Sequence, residues 1–107
     1  MDLNLVVLAG RLAAPVEVRD LGEGGRLARY LITVGTDQPQ RRIDVVPVTL
    51  WNPPTDLDAV SPGTRMWVAG MVQRRFRPNG EQGGSRLEII AHHVELRPGD
   101  EEGVTGV

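Results

Sequence analysis

Two groups of residues in this chain have the types and spacing to do chemistry: a tryptophan that ends a strand-like run, and arginines gathered around a second aromatic. Trp51 closes the run Val45-Val46-Pro47-Val48-Thr49-Leu50-Trp51. Alternate side chains of a strand point to opposite faces, so Trp51 shares a face with Pro47 and Thr49, away from Val46, Val48 and Leu50. A large ring on the wetter face of a sheet is either a platform for stacking or an outer ring packed under a loop or against a second subunit. The second group is Arg74, Arg75 and Arg77 around Phe76, with Arg41-Arg42 further upstream. A basic run enclosing an aromatic suits single-stranded nucleic acid, whose phosphates need cations and whose bases need flat partners. A solvated hairpin tip is the bland alternative.

The remaining reactive side chains argue against catalysis, and neither a catalytic residue nor a metal nor a cofactor is expected. Cysteine is absent, which excludes thiol chemistry, thiolate metal sites and disulfides. His92 and His93 are adjacent, so in a regular strand one lines the core and the other is exposed, and they cannot share a metal ion. The glycine-rich stretches 22–25 and 80–84 lack the Gly-Lys-Ser/Thr ending of a phosphate loop and read as turns. Asp56 and Asp58 are read as solvated or capping carboxylates.

Twelve basic residues stand against 14 acidic ones, a net charge of −2, which by itself does not suggest a polyanion partner. The distribution matters more, because Asp100, Glu101 and Glu102 fall in the final segment and leave the rest nearly neutral. Every basic residue is arginine. Genomic nucleotide composition is sufficient to produce such a set, but guanidinium also stacks on bases and forks onto phosphate better than ammonium does. With 107 residues and 40% hydrophobic content, the chain suits one domain with one core. It has neither a membrane-length apolar run nor a signal-like start, so a cytoplasmic, nucleoid-associated protein is expected.

Strands and turns must position these groups, for little of the chain reads as helix. Residues 3–18 form one long strand broken at Gly10 and Pro15, where a barrel strand would bend. Residues 20–25 are a turn, and residues 26–34 a strand with Ala28, Tyr30, Ile32 and Val34 facing the core. The third strand, residues 41–51, contains Pro47 and is therefore expected at an edge or a bulge. Three prolines in residues 52–63 leave 55–60 for a helix of one or two turns, with Thr55 as N-cap. Residues 64–77 and 85–96 are strands of a hairpin with a glycine-rich tip, and Met66, Val68 and Val72 are core candidates on the first of them. The expected domain is residues 1–98, followed by a flexible acidic tail at 99–107. The class is all-β, a five-stranded Greek-key barrel of the OB type with a very short helix between strands three and four.

Several segments, in order, carry a resemblance. Residues 4–12 with 15–19, Leu27-Ala28-Arg29-Tyr30-Leu31-Ile32-Thr33-Val34, Val48-Thr49-Leu50-Trp51, and Pro62-Gly63-Thr64-Arg65-Met66-Trp67-Val68-Ala69-Gly70 are similar to bacterial single-stranded DNA-binding proteins across residues 3–97. The resemblance implies sequence-independent binding and protection of single-stranded DNA in replication, recombination or repair. It places Trp51 and Phe76 at base-stacking positions, and implies phosphate contacts for Arg11, Arg41, Arg42, Arg74, Arg75 and Arg77. Trp67 shares a face with Arg65, Ala69 and Met71, and either stacks bases or fills a subunit interface. The family's usual assembly implies a homotetramer.

Departures from the family pattern qualify that picture. The loop at residues 35–40 is short and lacks the usual aromatic, and each stacking platform is worth about 1–3 kcal/mol per base. The sequence ends acidic but without the aromatic tip through which the family recruits other enzymes, so recruitment by the tail is not implied. A short OB chain of this kind also resembles primosomal replication protein B, a dimeric restart accessory. A third reading is an OB-fold interaction module whose arginines are only surface charge.

Overall fold

The structure, a computed structural model, describes residues 1–76 and 85–97, so the expected hairpin tip and tail lie outside the described residues. Among the described residues there are six strands: β1 (Val6–Leu12), β2 (Glu17–Asp20), β3 (Arg26–Thr36), β4 (Arg42–Trp51), β5 (Arg65–Phe76) and β6 (Ser85–Arg97). β1 and β2 are the two parts of the expected bent first strand, which makes this a closed five-stranded OB barrel. The sheet order is β1-β5-β6-β4-β3-β2, closed by β1 pairing with β3.

Closure depends on Gly10 and the residues after it. Arg11 pairs with Arg65 of β5 and with Thr33 of β3, so β1 is bonded on both edges at that point. A Cβ on Gly10 would lie 2.2 Å from the Thr33 carbonyl oxygen, inside any tolerable contact. A similar approach at Gly70, where a Cβ would lie 2.1 Å from the Ile90 carbonyl oxygen, marks the bulge between Ala69 and Gly70. The barrel consists of two three-stranded halves, β1-β5-β6 and β2-β3-β4, each antiparallel throughout. They meet at two short junctions: Val48–Ile89 with Thr49–Ile90 in parallel, and Arg11–Thr33 with Leu12–Ile32 in antiparallel register.

Period-two alternation fills the interior. Ala28, Tyr30 and Ile32 of β3, Val48 and Leu50 of β4, Met66 and Val68 of β5, and Ile89, Ala91 and Val94 of β6 form one buried cluster. Val34, Val46 and Val72 pack against it from partly buried positions. Residues 52–64 cap the barrel end. There the structure corrects the expected helix: one 3-10 turn forms at Thr55–Leu57, Pro54 holds the cap position, and no side chain caps it. Pro62 disfavours helical backbone at Ser61, and Leu57 at the end of the single turn and Val60 beyond it both turn into the core. Asp58, expected to be solvated or capping, instead pairs with Arg26 at 2.6 Å.

Pro47 required a different solution from the expected edge strand, because β4 lies between β3 and β6. The Asn52 backbone N–H donates to the Arg26 carbonyl at 2.7 Å, which makes every second pair from there, including Val48–Tyr30, a hydrogen-bonded pair. Pro47 opposite Leu31 is therefore a non-bonded pair, and its missing N–H faces β6 one residue before the parallel pairing begins. The ladder is complete without it. His92 and His93 also differ from expectation, for both are exposed. Ala69 pairs with His93 and Gly70 with Ala91, so His92 is the extra residue of the bulge and the alternation breaks there.

Tyr30 ties the core to the cap. Its hydroxyl donates to the Leu57 carbonyl, and burial, followed by the charges of Asp58 and Asp56, pushes its pKa up to about 12. The folded state thus holds this proton more tightly than the unfolded chain, so the stabilising contribution is complete below pH 10 and is lost as pH rises from 10 towards 12. With one tyrosine and neither lysine nor cysteine in the chain, this proton is readable by phenolate absorbance. The expected outcome is a folded-state midpoint near 12 and a stability loss above pH 10 that disappears in Tyr30→Phe, measured by urea unfolding. At neutral pH the same variant should lose about 1 kcal/mol.

Candidate nucleic-acid interface

The outer face of β2, β3 and β4 places the first functional group. The strand register aligns Arg19, Leu27 and Trp51 across the three strands, with Glu17, Arg29 and Thr49 in the next row on the same face. Trp51 is 46% exposed, while Val48 and Leu50, of the opposite parity, are buried in the core. Its position is fixed by the residue after it. Asn52 has φ of 51°, its side-chain Oδ1 accepts the Arg26 backbone N–H at 3.0 Å, and its own N–H donates to the Arg26 carbonyl. Asparagine tolerates this left-handed conformation better than most residues, so the chain turns sharply and the indole stays at the strand end.

Thr49 should be wet by parity, yet it is 1% exposed. Its cover is a cluster of ions. The Thr49 hydroxyl donates to Glu88 Oε1 at 3.1 Å, Arg75 Nε lies 3.3 Å from Glu88 Oε2, and Arg29 Nη2 lies 3.6 Å from Oε1. Arg29 Nε is buried with no hydrogen-bond partner among the described residues. Beside the cluster lies a cleft of about 280 Å³ lined by Glu17, Val18, Arg19, Leu27, Arg29 and Arg75. Its guanidinium groups can take an anion, and the Trp51 indole, opposite Leu27 of the lining, can take a flat ring.

Other expected residues are distributed around the barrel. Arg74, opposite Leu87, donates to the Ser85 hydroxyl at 2.9 Å, and Phe76 ends β5 opposite Ser85. Arg74, Arg75 and Phe76 are thus consecutive on β5, whereas Arg77 lies outside the described residues. Trp67 is 40% exposed, eight residues before Arg75, or about 25 Å away along the strand at ~3.3 Å per residue. The Arg97 guanidinium lies 5.2 Å from the centre of its ring, a cation–π contact. Arg11 donates to the Gly63 carbonyl at 3.1 Å and lines a second depression with Ala9, Thr33, Ile43 and Arg65. Arg41 and Arg42 lie at the opposite end of β4 from Trp51, about 30 Å along the strand. Arg42 holds Asp44 at 3.0 Å and Arg41 approaches Asp37 at 3.9 Å. Trp51 thus lies opposite Leu27, which lines the cleft together with Arg75, whereas Arg11, Arg41, Arg42 and Trp67 do not line it.

The description of one sequence family, the single-strand binding protein family, fits residues 3–97. The chain belongs to that family. Its fold is similar to the single-stranded DNA-binding protein of Plasmodium falciparum, solved in complex with single-stranded DNA, with TM-score 0.72 and 21% identity over 90% of this chain and 94% of that one. A small single-stranded DNA-binding protein from Streptomyces coelicolor is similar at TM-score 0.71 and 18% identity, over 91% and 95% of the two chains. The N-terminal domain of the PriB protein from Thermoanaerobacter tencongensis, a dimer, is similar at TM-score 0.66 and 20% identity, over 89% and 97%. No curated protein sequence matches the chain. Among the described residues no group of three or more His, Asp or Glu could hold a metal ion, and no helix is long and apolar enough to cross a membrane.

Within this single-strand binding family member, the residues that sequence reasoning missed are Arg19, Arg29 and Glu88. Arg29 could have been found, since it shares the outward parity of Leu27 and Leu31 and lies opposite Thr49 once the β3–β4 register is known. Glu88 also left a signal, an isolated acid in the apolar run Leu87-Glu88-Ile89-Ile90 that demands a partner if buried. For the turn that aims Trp51, Asn52→Ala should remove both the acceptor for Arg26 and the tolerance of left-handed backbone. We expect a loss of about 1–2 kcal/mol in urea unfolding, with a smaller loss for Asn52→Gly, which keeps the conformation.

Proposed function

We propose that this chain binds single-stranded DNA without regard to sequence and protects it during replication, recombination or repair. The observation that carries the reading is the half-exposed indole of Trp51 beside the cleft lined by Arg19, Arg29 and Arg75, on the outer face of a barrel of the single-strand binding family. Bases stack on Trp51, and on Phe76 where the strand reaches the end of β5, which any base permits because each has a π-face. The guanidinium groups of Arg74, Arg75 and Arg77 follow the phosphates along the β5–β6 hairpin. A longer bound strand extends from there towards Trp67, or towards Arg11, Arg41 and Arg42. The reaction is binding alone, with no bond made or broken.

One small barrel offers a short site, so several copies acting together are part of the proposal, and a homotetramer is the assembly we propose. Exposed apolar side chains on the outer surface, Val7 on β1, Leu31 on β3, and Ile43 and Val45 on β4, support self-association. A dimer serving replication restart is the second reading, supported by the likeness to the dimeric PriB domain. Sedimentation equilibrium separates the two.

Titration of tryptophan fluorescence with oligo(dT) tests the binding site. Quenching should weaken as salt rises, because phosphate neutralisation releases counterions. In Trp51→Ala, binding should weaken by roughly 5- to 150-fold, the equivalent of about 1–3 kcal/mol for one stacked base. Unchanged affinity in the folded variant would remove Trp51 from the site. Replacing Arg74, Arg75 and Arg77 together by Gln should reduce the slope of log affinity against log salt by about 0.7 for each phosphate that is no longer neutralised. An unaltered slope would place the phosphate path elsewhere.

A further inference from the structure

Glu88 is out of place on a surface that carries a polyanion. Its side chain is 3% exposed and lies on the outer face of β6, where the barrel halves meet, with Thr49 and Arg29 reaching it from one half and Arg75 from the other. The two arginine side chains are only partly covered: Arg29 is 30% exposed and Arg75 46%. Each therefore keeps part of its side chain in solvent while it reaches the carboxylate. Arg75 also lies directly opposite Arg86, a like-charge pair that is unfavourable unless an anion stands close by. Glu88, on the same face two residues further along β6, supplies that anion.

We propose that Glu88 is an internal counter-ion that limits how tightly the protein holds single-stranded DNA: it pins Arg29 and Arg75 against the face in the free protein and competes with phosphate for them in the complex. This inference rests on the single-stranded DNA reading given above. Arg29 is the member that phosphate draws away. Its approach to Glu88 is the longer of the two ion pairs at 3.6 Å, and its buried Nε has no acceptor, so little is lost when the guanidinium turns outward. Thr49 and Arg75 keep the carboxylate satisfied after Arg29 leaves. The cleft beside Arg29, with Arg19 on its far side, receives the phosphate.

Glu88→Gln removes the charge, keeps the shape, and leaves an oxygen to accept the Thr49 hydroxyl. Removing one negative charge about 5 Å from a bound phosphate should tighten oligo(dT) binding roughly three- to ten-fold at low salt, at a dielectric close to that of a wet surface. The salt slope should steepen by about 0.7 as Arg75, which the carboxylate holds in the wild-type complex, becomes available, and adding Arg75→Gln should reverse that gain. A folded Glu88→Gln protein that binds no more tightly than wild type overturns the proposal. A second measurement needs no variant: with glutamate carboxylates labelled with carbon-13, oligo(dT) should shift the Glu88 signal of the wild type as Arg29 departs. A Glu88 signal that stays in place while Trp51 fluorescence is quenched also overturns it. Wild type that fails to bind oligo(dT) overturns the DNA reading and this inference together, whereas normal wild-type binding with an unimproved variant overturns this inference alone.

Discussion

A barrel of five strands has to bend its first strand far enough that one segment is hydrogen-bonded to two neighbours at once. In this chain that requirement is met at Gly10 and Arg11, where β1 is paired with β5 and turns onto β3 against the Thr33 carbonyl. Everything else follows from this junction. Once β1 reaches β3 the sheet has an inside, and the alternation of apolar residues on β3, β4, β5 and β6 is committed to a single core. The opposite parity is committed to the outside by the same step. Trp51, Arg29 and Arg75 are surface groups for the reason that Leu50, Tyr30 and Val68 are not.

Closure also creates a problem that the outer face must solve. Strands from different parts of the sequence bring arginines together, and Arg75 meets Arg86 across the β5–β6 ladder. A surface that only gathered cations would repel itself, so a buried acid in its midst contributes to folding even where it opposes the ligand. The same side chain then serves two demands of opposite sign. Stability favours a neutralised cluster and polyanion binding favours a bare one, and the part-exposed arginine side chains are the compromise.

Much of this was legible in the sequence. Period-two runs identified the strands, Gly10 marked the bend, and the parity of Trp51 placed its ring outside. What stayed hidden depends on residues far apart in the chain. The Glu88 cluster needs the parallel β4–β6 register, which follows a crossover and which no local pattern specifies. The His92 bulge was invisible because an inserted residue changes parity without changing composition. Pro47 misled for a related reason: a proline rules out a hydrogen bond on one side of a strand only, and the sequence does not say which side is occupied. The single turn at Thr55–Leu57 is shorter than its local signals suggest because Leu57 and Val60 must both reach the core, a demand that only the closed barrel makes.

The unequal lengths of the strand ladders have a mechanical meaning. Within the halves the ladders are long, ten residue pairs between β3 and β4 and twelve between β5 and β6, whereas the halves meet through two pairs on each side. Where backbone pairs are few, the two halves are held by the core they share and by the Glu88 ion cluster that spans them. Trp51 belongs to one half and Arg75 to the other. The spacing of that ring and that cation is therefore set across a junction, by the packing of the shared core and the Thr49–Glu88–Arg75 contacts rather than by any one strand ladder.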